Sequence, residues 1–223
     1  MKAPVYGQLY TGAQLSASNT MVSRWARLVL AVSYFVALIA WEVWDFYWSD
    51  PAALVLSLLT MAYLALIVSV YLRRGPDEPL HRADWVAQIV AVLGANLLIP
   101  LALLPSQSTG LETSAVVLSI VGLAVSFWAI WHLGPAFSIV PEARRTIQTG
   151  PYRWVRHPLY LAGLLIGMGL LAARFSPAAL GLFLGFACCQ ALRMAYEEDM
   201  LLDRLPEYRD YQRRTWVLLP HIF

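Results

Sequence analysis

Residues 158–193 read PLYLAGLLIGMGLLAARFSPAALGLFLGFACCQALR, two apolar runs separated by Arg174-Phe175-Ser176-Pro177. A helix needs about 20 apolar residues to cross the ~30 Å hydrocarbon core of a bilayer. The first run, Pro158 to Ala173, falls short of that, and the second, from about Ala178, ends near Arg193. Two short helices joined by a tight Ser-Pro turn predict a helical hairpin that need not cross the membrane completely. Upstream lie four more apolar windows: Leu28–Trp48, Ala52–Leu72, Trp85–Pro105 and Thr113–His132. The first ends in Trp41, Glu42, Trp44, Asp45, Phe46, Tyr47 and Trp48. Such an aromatic belt marks a membrane–water boundary, which puts Glu42 and Asp45 at the interface.

Composition supports the same class. Hydrophobic residues form 59% of the 223-residue chain and charged residues 13%, against roughly 25% charged in soluble domains. An ordinary soluble enzyme, a disordered regulator, a coiled coil and a secreted disulfide scaffold are thereby disfavoured. The net charge of +2 is dispersed, so no nucleic-acid partner is expected. Cys188 and Cys189 are adjacent within an apolar run. That placement fits small apolar helix residues rather than a disulfide or a metal site. Residues 1–23 open with a polar tail that lacks the apolar core of a signal peptide.

Loop charges set the expected orientation, because Lys and Arg favour the cytoplasmic side. With the N-terminus inside, fifteen of the sixteen basic residues fall on that side and only Arg174 falls outside. An even span count is required, and the expectation is an all-α, polytopic protein of about six transmembrane helices with both termini cytoplasmic. Its parts would be the tail (1–23), a four-helix transmembrane region (24–133), and a C-terminal hairpin with a cytoplasmic tail (134–223). Gln88 and Asn96 interrupt the third window, where an amide most often bonds another helix. No internal repeat or intramembrane charge array favours a transporter or pump.

Polar residues gather instead around the hairpin's inner ends. In Arg156-His157-Pro158-Leu159-Tyr160, Pro158 suits the first helical position and the preceding residue avoids helical torsions. Arg156 and His157 therefore stand at a helix N-terminus, where free amides and the positive dipole end favour anions. Tyr160 lies just inside, and Gly163 permits close approach one turn on. The turn Thr149-Gly150-Pro151-Tyr152 brings Tyr152 and Arg153 towards the same mouth. At the other end, Arg193 and Glu197 share a helix face while Glu198 turns away by about 100°. Antiparallel helices would bring both clusters into one site. The plainer alternative is an ion-pair cluster that only anchors the hairpin.

The ordered pattern Gly150-Pro151-Tyr152-Arg153, Arg156-His157-Pro158-Leu159-Tyr160, then Arg193 with Glu197, Glu198 and Leu201 resembles the isoprenylcysteine carboxyl methyltransferase family and its phospholipid methyltransferase relatives. The ending Glu207-Tyr208-Arg209-Asp210-Tyr211 with Leu219-Pro220 is similar to theirs as well. The resemblance covers about Leu133 to Pro220. One departure is Ala162, where many relatives carry glycine.

The resemblance implies an integral membrane enzyme that uses S-adenosylmethionine, with its cofactor pocket open to the cytosol and no metal. It implies cofactor contacts at Tyr152, His157, Tyr160, Gly163 and Glu198, catalytic roles for Arg193 and Glu197, and an acceptor contact at Arg156. The acceptor would be lipophilic: foremost the carboxylate of an isoprenylcysteine-like molecule, or else a phospholipid amine or a small thiol. Two readings from other classes remain, an NADPH-dependent sterol-reductase-like enzyme and a non-enzymatic membrane scaffold. No obligate protein partner is implied beyond membrane lipids. Fifteen arginines against one lysine favour a prokaryotic cytoplasmic membrane, with the endoplasmic reticulum as the counterpart in a eukaryote.

Overall fold

A computed structural model describes residues 51–72, 81–82, 85–105, 110–134, 142–143 and 146–219. The first predicted span, with Glu42 and Asp45, and the N-terminal tail lie outside these residues. The helices are α1 (Pro51–Leu72), α2 (Trp85–Asn96), α3 (Leu98–Leu103), α4 (Glu112–Leu133), α5 (Pro158–Ala173), α6 (Pro177–Arg204) and α7 (Tyr208–Gln212). A 3-10 turn covers Gly150–Arg153. Two-residue strands β1 (His81–Arg82) and β2 (Glu142–Ala143) pair antiparallel, with His81 opposite Ala143. That pairing ties together the two loops expected on one side of the membrane.

The third predicted window is broken rather than continuous. Pro100 lacks an N–H, and its ring would collide with the carbonyl of Asn96, so α2 ends and α3 begins around Leu97. The Asn96 side chain donates from Nδ2 to the Val92 carbonyl at 2.7 Å. This bond lies within its own helix, not across to another as the sequence led one to expect. Among the described residues, α4 and α6 are long and apolar enough to cross a membrane. Val117, Val121, Leu184 and Leu192 stand exposed on them, as lipid-facing side chains would. At 1.5 Å per residue, the 16 residues of α5 reach only about 24 Å.

In lipid, apolar side chains gain nothing by leaving the hydrocarbon, so helices associate through small residues that let backbones close up. The principal packing of α5 is against α4, and α6 packs chiefly on α2. A Cβ on Gly122 would stand 2.9 Å from the Ala162 carbonyl oxygen, and one on Gly169 would stand 2.8 Å from that of Ala115. These contacts make α4 and α5 antiparallel neighbours along a seam of glycine, alanine and serine. Ala162, the departure from the family pattern, is fully buried at this seam. We expect Gly169→Ala to destabilise by about 1–3 kcal/mol through overpacking. Gly181→Ala, with open space at the added methyl, should stabilise by about 0.5–1 kcal/mol. Thermal unfolding in detergent compares them, and equal melting temperatures would refute the tight seam.

The hairpin forms at the predicted place. Pro177 opens α6, and Ser176 Oγ accepts from the Ala179 N–H at 3.1 Å as its N-cap. Arg174, the one basic residue assigned to the far side, donates from Nε to the Leu104 carbonyl at 2.9 Å. It thereby satisfies a backbone acceptor at the exposed end of α3.

Candidate functional site

The α6 helix does not stop near Arg193. It continues to Arg204, because Arg193-Met194-Ala195-Tyr196-Glu197-Glu198-Asp199-Met200 contains neither Gly nor Pro and is rich in good helix formers. Pro206 then forces Leu205 into an extended conformation, φ −124° and ψ 95°. Twenty-eight residues span about 42 Å, more than a bilayer core, so the charged last turns project beyond it. Glu197 and Glu198 are carried rigidly on that extension.

Opposite them, His157 precedes Pro158 at the start of α5, with φ −124° and ψ 57°. The two motif halves meet across this gap. Arg156 Nε donates to Glu198 Oε1 at 2.7 Å, and His157 Nε2 donates to the same oxygen at 3.0 Å. Gln212 Nε2 donates to Glu198 Oε2 at 3.1 Å. Tyr160 Oη donates to Glu197 Oε2 at 2.8 Å. The Arg193 guanidinium lies 5.1 Å above the Tyr160 ring, and the His157 ring meets that ring edge-on at 5.2 Å.

The electrostatics follow from these contacts. Burial raises the Glu198 pKa, but the hydrogen bonds and charges of His157 and Arg156 outweigh it and bring the carboxyl down to about 2 from 4.5. Burial, then the Glu198 and Glu197 charges, push the Tyr208 hydroxyl up. Burial and Glu197 do the same to Tyr152. Both phenols therefore stay protonated donors at neutral pH.

A lowered folded-state pKa gives a definite sign. The stabilisation from Glu198 is complete above about pH 4.5 and is lost as pH falls towards about 2. The melting temperature should fall over that window, and fall less in Glu198→Gln. A parallel acid profile for both proteins would show that Glu198 carries no such stabilisation.

The C-terminal tail closes one side. Arg156 Nη1 donates to the carbonyls of Gln212 at 3.0 Å and Thr215 at 2.6 Å. The Arg156 and His157 amides donate to the carbonyls of Trp216 and Val217 at 2.7 and 3.1 Å. Tyr211 Oη donates to the Tyr152 carbonyl at 2.7 Å. Tyr152 itself is buried in the 3-10 turn. Gly150 opens that turn at φ +60°, a left-handed conformation that favours glycine, and a Cβ there would overlap the His132 ring.

The structure thus brings Arg156, His157, Tyr160, Arg193, Glu197 and Glu198 into one connected network, with Tyr152 beneath it. Gly163 faces Gln190 and Phe186 of α6, so its close approach is to a helix. Two features escaped the sequence reading. Gln190 is buried and accepts from Arg193 Nη1 at 2.8 Å; its signal was a lone amide one turn before Arg193. The engagement of Arg156 with the tail had no local signal. Among the described residues, no three His, Cys, Asp or Glu side chains gather as a metal site.

Residues 115–203, from the first turn of α4 to the last turn of α6, match the model of the isoprenylcysteine carboxyl methyltransferase (ICMT) family. The nickel-cobalt-cadmium resistance protein NccN of Alcaligenes xylosoxydans xylosoxydans is 31% identical over 112 residues, 49% of this chain and 52% of that protein. The cobalt-zinc-cadmium resistance protein CzcN of Cupriavidus metallidurans is 32% identical over 120 residues, 52% of this chain and 55% of that protein. The chain spans about half the length of the curated relatives it matches. A solved structure of the eukaryotic intramembrane Ras methyltransferase ICMT aligns over 88% of this chain and 86% of its own, at 17% identity and a TM-score of 0.44. That likeness is too loose to transfer geometry.

Proposed function

We propose, for a chain whose residues 115–203 belong to the isoprenylcysteine carboxyl methyltransferase family, that it is an integral membrane methyltransferase using S-adenosylmethionine. The observation that carries this reading is the network joining the start of α5 to the last turns of α6. Both halves of the family pattern meet there around Glu197 and Glu198.

The donor set suits the cofactor. Glu198 and Glu197 offer acceptors for an ammonium group or ribose hydroxyls, and their negative charge suits a cationic cofactor. Tyr152, His157, Tyr160 and Glu198 would hold it, whereas Gly163, expected among them, packs against Gln190 and Phe186 instead. When bound, it supplies an electrophilic methyl group on sulfur. The chain's own work is then positioning and exclusion of water, which account for much of the rate in a displacement needing aligned partners.

Arg193 would orient an acceptor carboxylate by charge-assisted hydrogen bonding. An ionised carboxylate needs no general base, so a network of fixed charges suffices for O-methylation. Glu197, held by the Tyr160 hydroxyl, would take the proton if the acceptor were an amine or thiol. The resistance relatives' names specify no acceptor, so the acceptor is argued from the site: lipophilic, entering from the bilayer, foremost an isoprenylcysteine-like carboxylate. Arg156 was assigned to it from the sequence, yet its Nε and Nη1 serve Glu198 and the tail, which suits an internal role better. Six spans with both termini in the cytoplasm complete the proposal.

The test is binding of S-adenosylhomocysteine and, separately, NADPH to the detergent-purified protein, by calorimetry or thermal shift. Binding of the former that disappears in His157→Ala and Glu198→Ala supports the methyltransferase. NADPH binding alone would favour a reductase, and stabilisation by neither ligand would overturn both enzyme readings.

A further inference from the structure

Gln190 lies in the apolar part of α6 with 5% exposure, where an unpartnered amide would be costly. Its Oε1 accepts from Arg193 Nη1 at 2.8 Å. Two glycines on two other helices make room for it. A Cβ on Gly94 of α2 would stand 3.4 Å from Gln190 Oε1 and 3.2 Å from Arg193 Cδ. A Cβ on Gly163 of α5 would stand 3.2 Å from Gln190 Nε2. The amide is therefore clamped from both sides at a level one turn deeper than Arg193. Beyond Arg193 the line continues: its guanidinium covers the Tyr160 ring at 5.1 Å, and the Tyr160 hydroxyl holds Glu197 at 2.8 Å.

Arginine has many rotamers. A buried hydrogen-bond acceptor of fixed position selects one of them. Resting on the methyltransferase reading, we propose that Gln190 is a positioning residue. Seated between Gly94 and Gly163, its amide fixes the Arg193 guanidinium over Tyr160, and so sets the cation that orients the acceptor. It touches neither acceptor nor cofactor and acts only through Arg193.

Three variants test this: Gln190→Met, which keeps length but removes the acceptor; Gln190→Glu, which keeps the acceptor; and Gly163→Ala, which keeps Gln190 but presses its amide. Arg193 accessibility is read by phenylglyoxal modification mapped by mass spectrometry. Methyl transfer is read with farnesylated N-acetylcysteine as the probe acceptor, and cofactor-site integrity by S-adenosylhomocysteine affinity. Gln190→Met should raise the Arg193 modification rate and lower kcat/KM for the acceptor, each on the order of tenfold, while product affinity changes less than about twofold. Gln190→Glu should restore both, and Gly163→Ala should fall between. Gln190→Met should add nothing in an Arg193→Gln background. Unchanged Arg193 reactivity in Gln190→Met and Gly163→Ala, or an additive loss in that background, would overturn the proposal. Faster modification in a protein that transfers no methyl group and binds no S-adenosylhomocysteine would support the positioning and sink the methyltransferase reading.

Discussion

Glu198→Ala is expected to abolish S-adenosylhomocysteine binding and to destabilise the protein by about 2–4 kcal/mol, somewhat less than breaking a fully buried ion pair from one side, because the Glu198 side chain is 18% exposed. The reason is that one carboxylate satisfies three donors. Arg156 and His157 share Oε1, and Gln212 takes Oε2. The Arg156 and His157 side chains are only 8% and 3% exposed. Deleting the carboxylate leaves a buried guanidinium without its counter-charge, and an unpaired buried charge loses far more than an exposed one. Glu198→Gln keeps an acceptor oxygen and should recover part of the stability, though not the binding. Thermal unfolding and calorimetry at pH 7 read both quantities. Wild-type stability in Glu198→Ala would show that the network is solvated rather than buried.

Arg156→Ala should be nearly as damaging, again about 2–4 kcal/mol with the partly exposed Glu198 left behind, and with a different signature. Besides Glu198, it deprives the carbonyls of Gln212 and Thr215 of their donor. The backbone bonds to Trp216 and Val217, with those of Gln212 to Glu198 and Tyr211 to the Tyr152 carbonyl, are then left to hold the tail. Trypsin should cut after Arg213, whose side chain is 80% exposed, at least about tenfold faster in this variant, since cleavage follows local opening. Arg156→Lys keeps the charge but not the planar fork that reaches several acceptors at once, so it should fall between. Cleavage at the wild-type rate in Arg156→Ala would mean that the tail is held elsewhere.

Much of the site was legible before any coordinates. Pro158 and Pro177 fix the starts of α5 and α6 by local torsion and capping chemistry, and both helices begin within a residue of the expected place. His157, Tyr160, Glu197 and Glu198 could be paired because an antiparallel hairpin leaves its inner ends together. The helix α6 outruns its apolar window, which ends near Arg193, for a physical reason. An apolar window measures where a helix leaves the hydrocarbon, not where the backbone stops being helical, and only Pro206 marks the latter. Similarly, the window over 85–105 carries no charge and reads as one span, yet Pro100 breaks the helix inside it.

The sequence by itself determined the class of protein, the hairpin and the residues that bear charge, because each rests on a local signal: hydropathy, a proline, a spacing of four. Only the tertiary structure decided which helices are partners. Helices that are apolar all round carry no directional stripe, and lipid rewards none of their faces over another. Glycine notches at Gly122 and Gly169 settle the pairing of α4 with α5. The tertiary structure also decided what Arg156 and Gln190 hold. The acceptors of Arg156 lie far along the chain, Gln212 and Thr215 being 56 and 59 positions away, and Gln190, which holds Arg193 of its own helix, is seated by Gly94 and Gly163 of two others; such contacts leave no periodic trace in the chain.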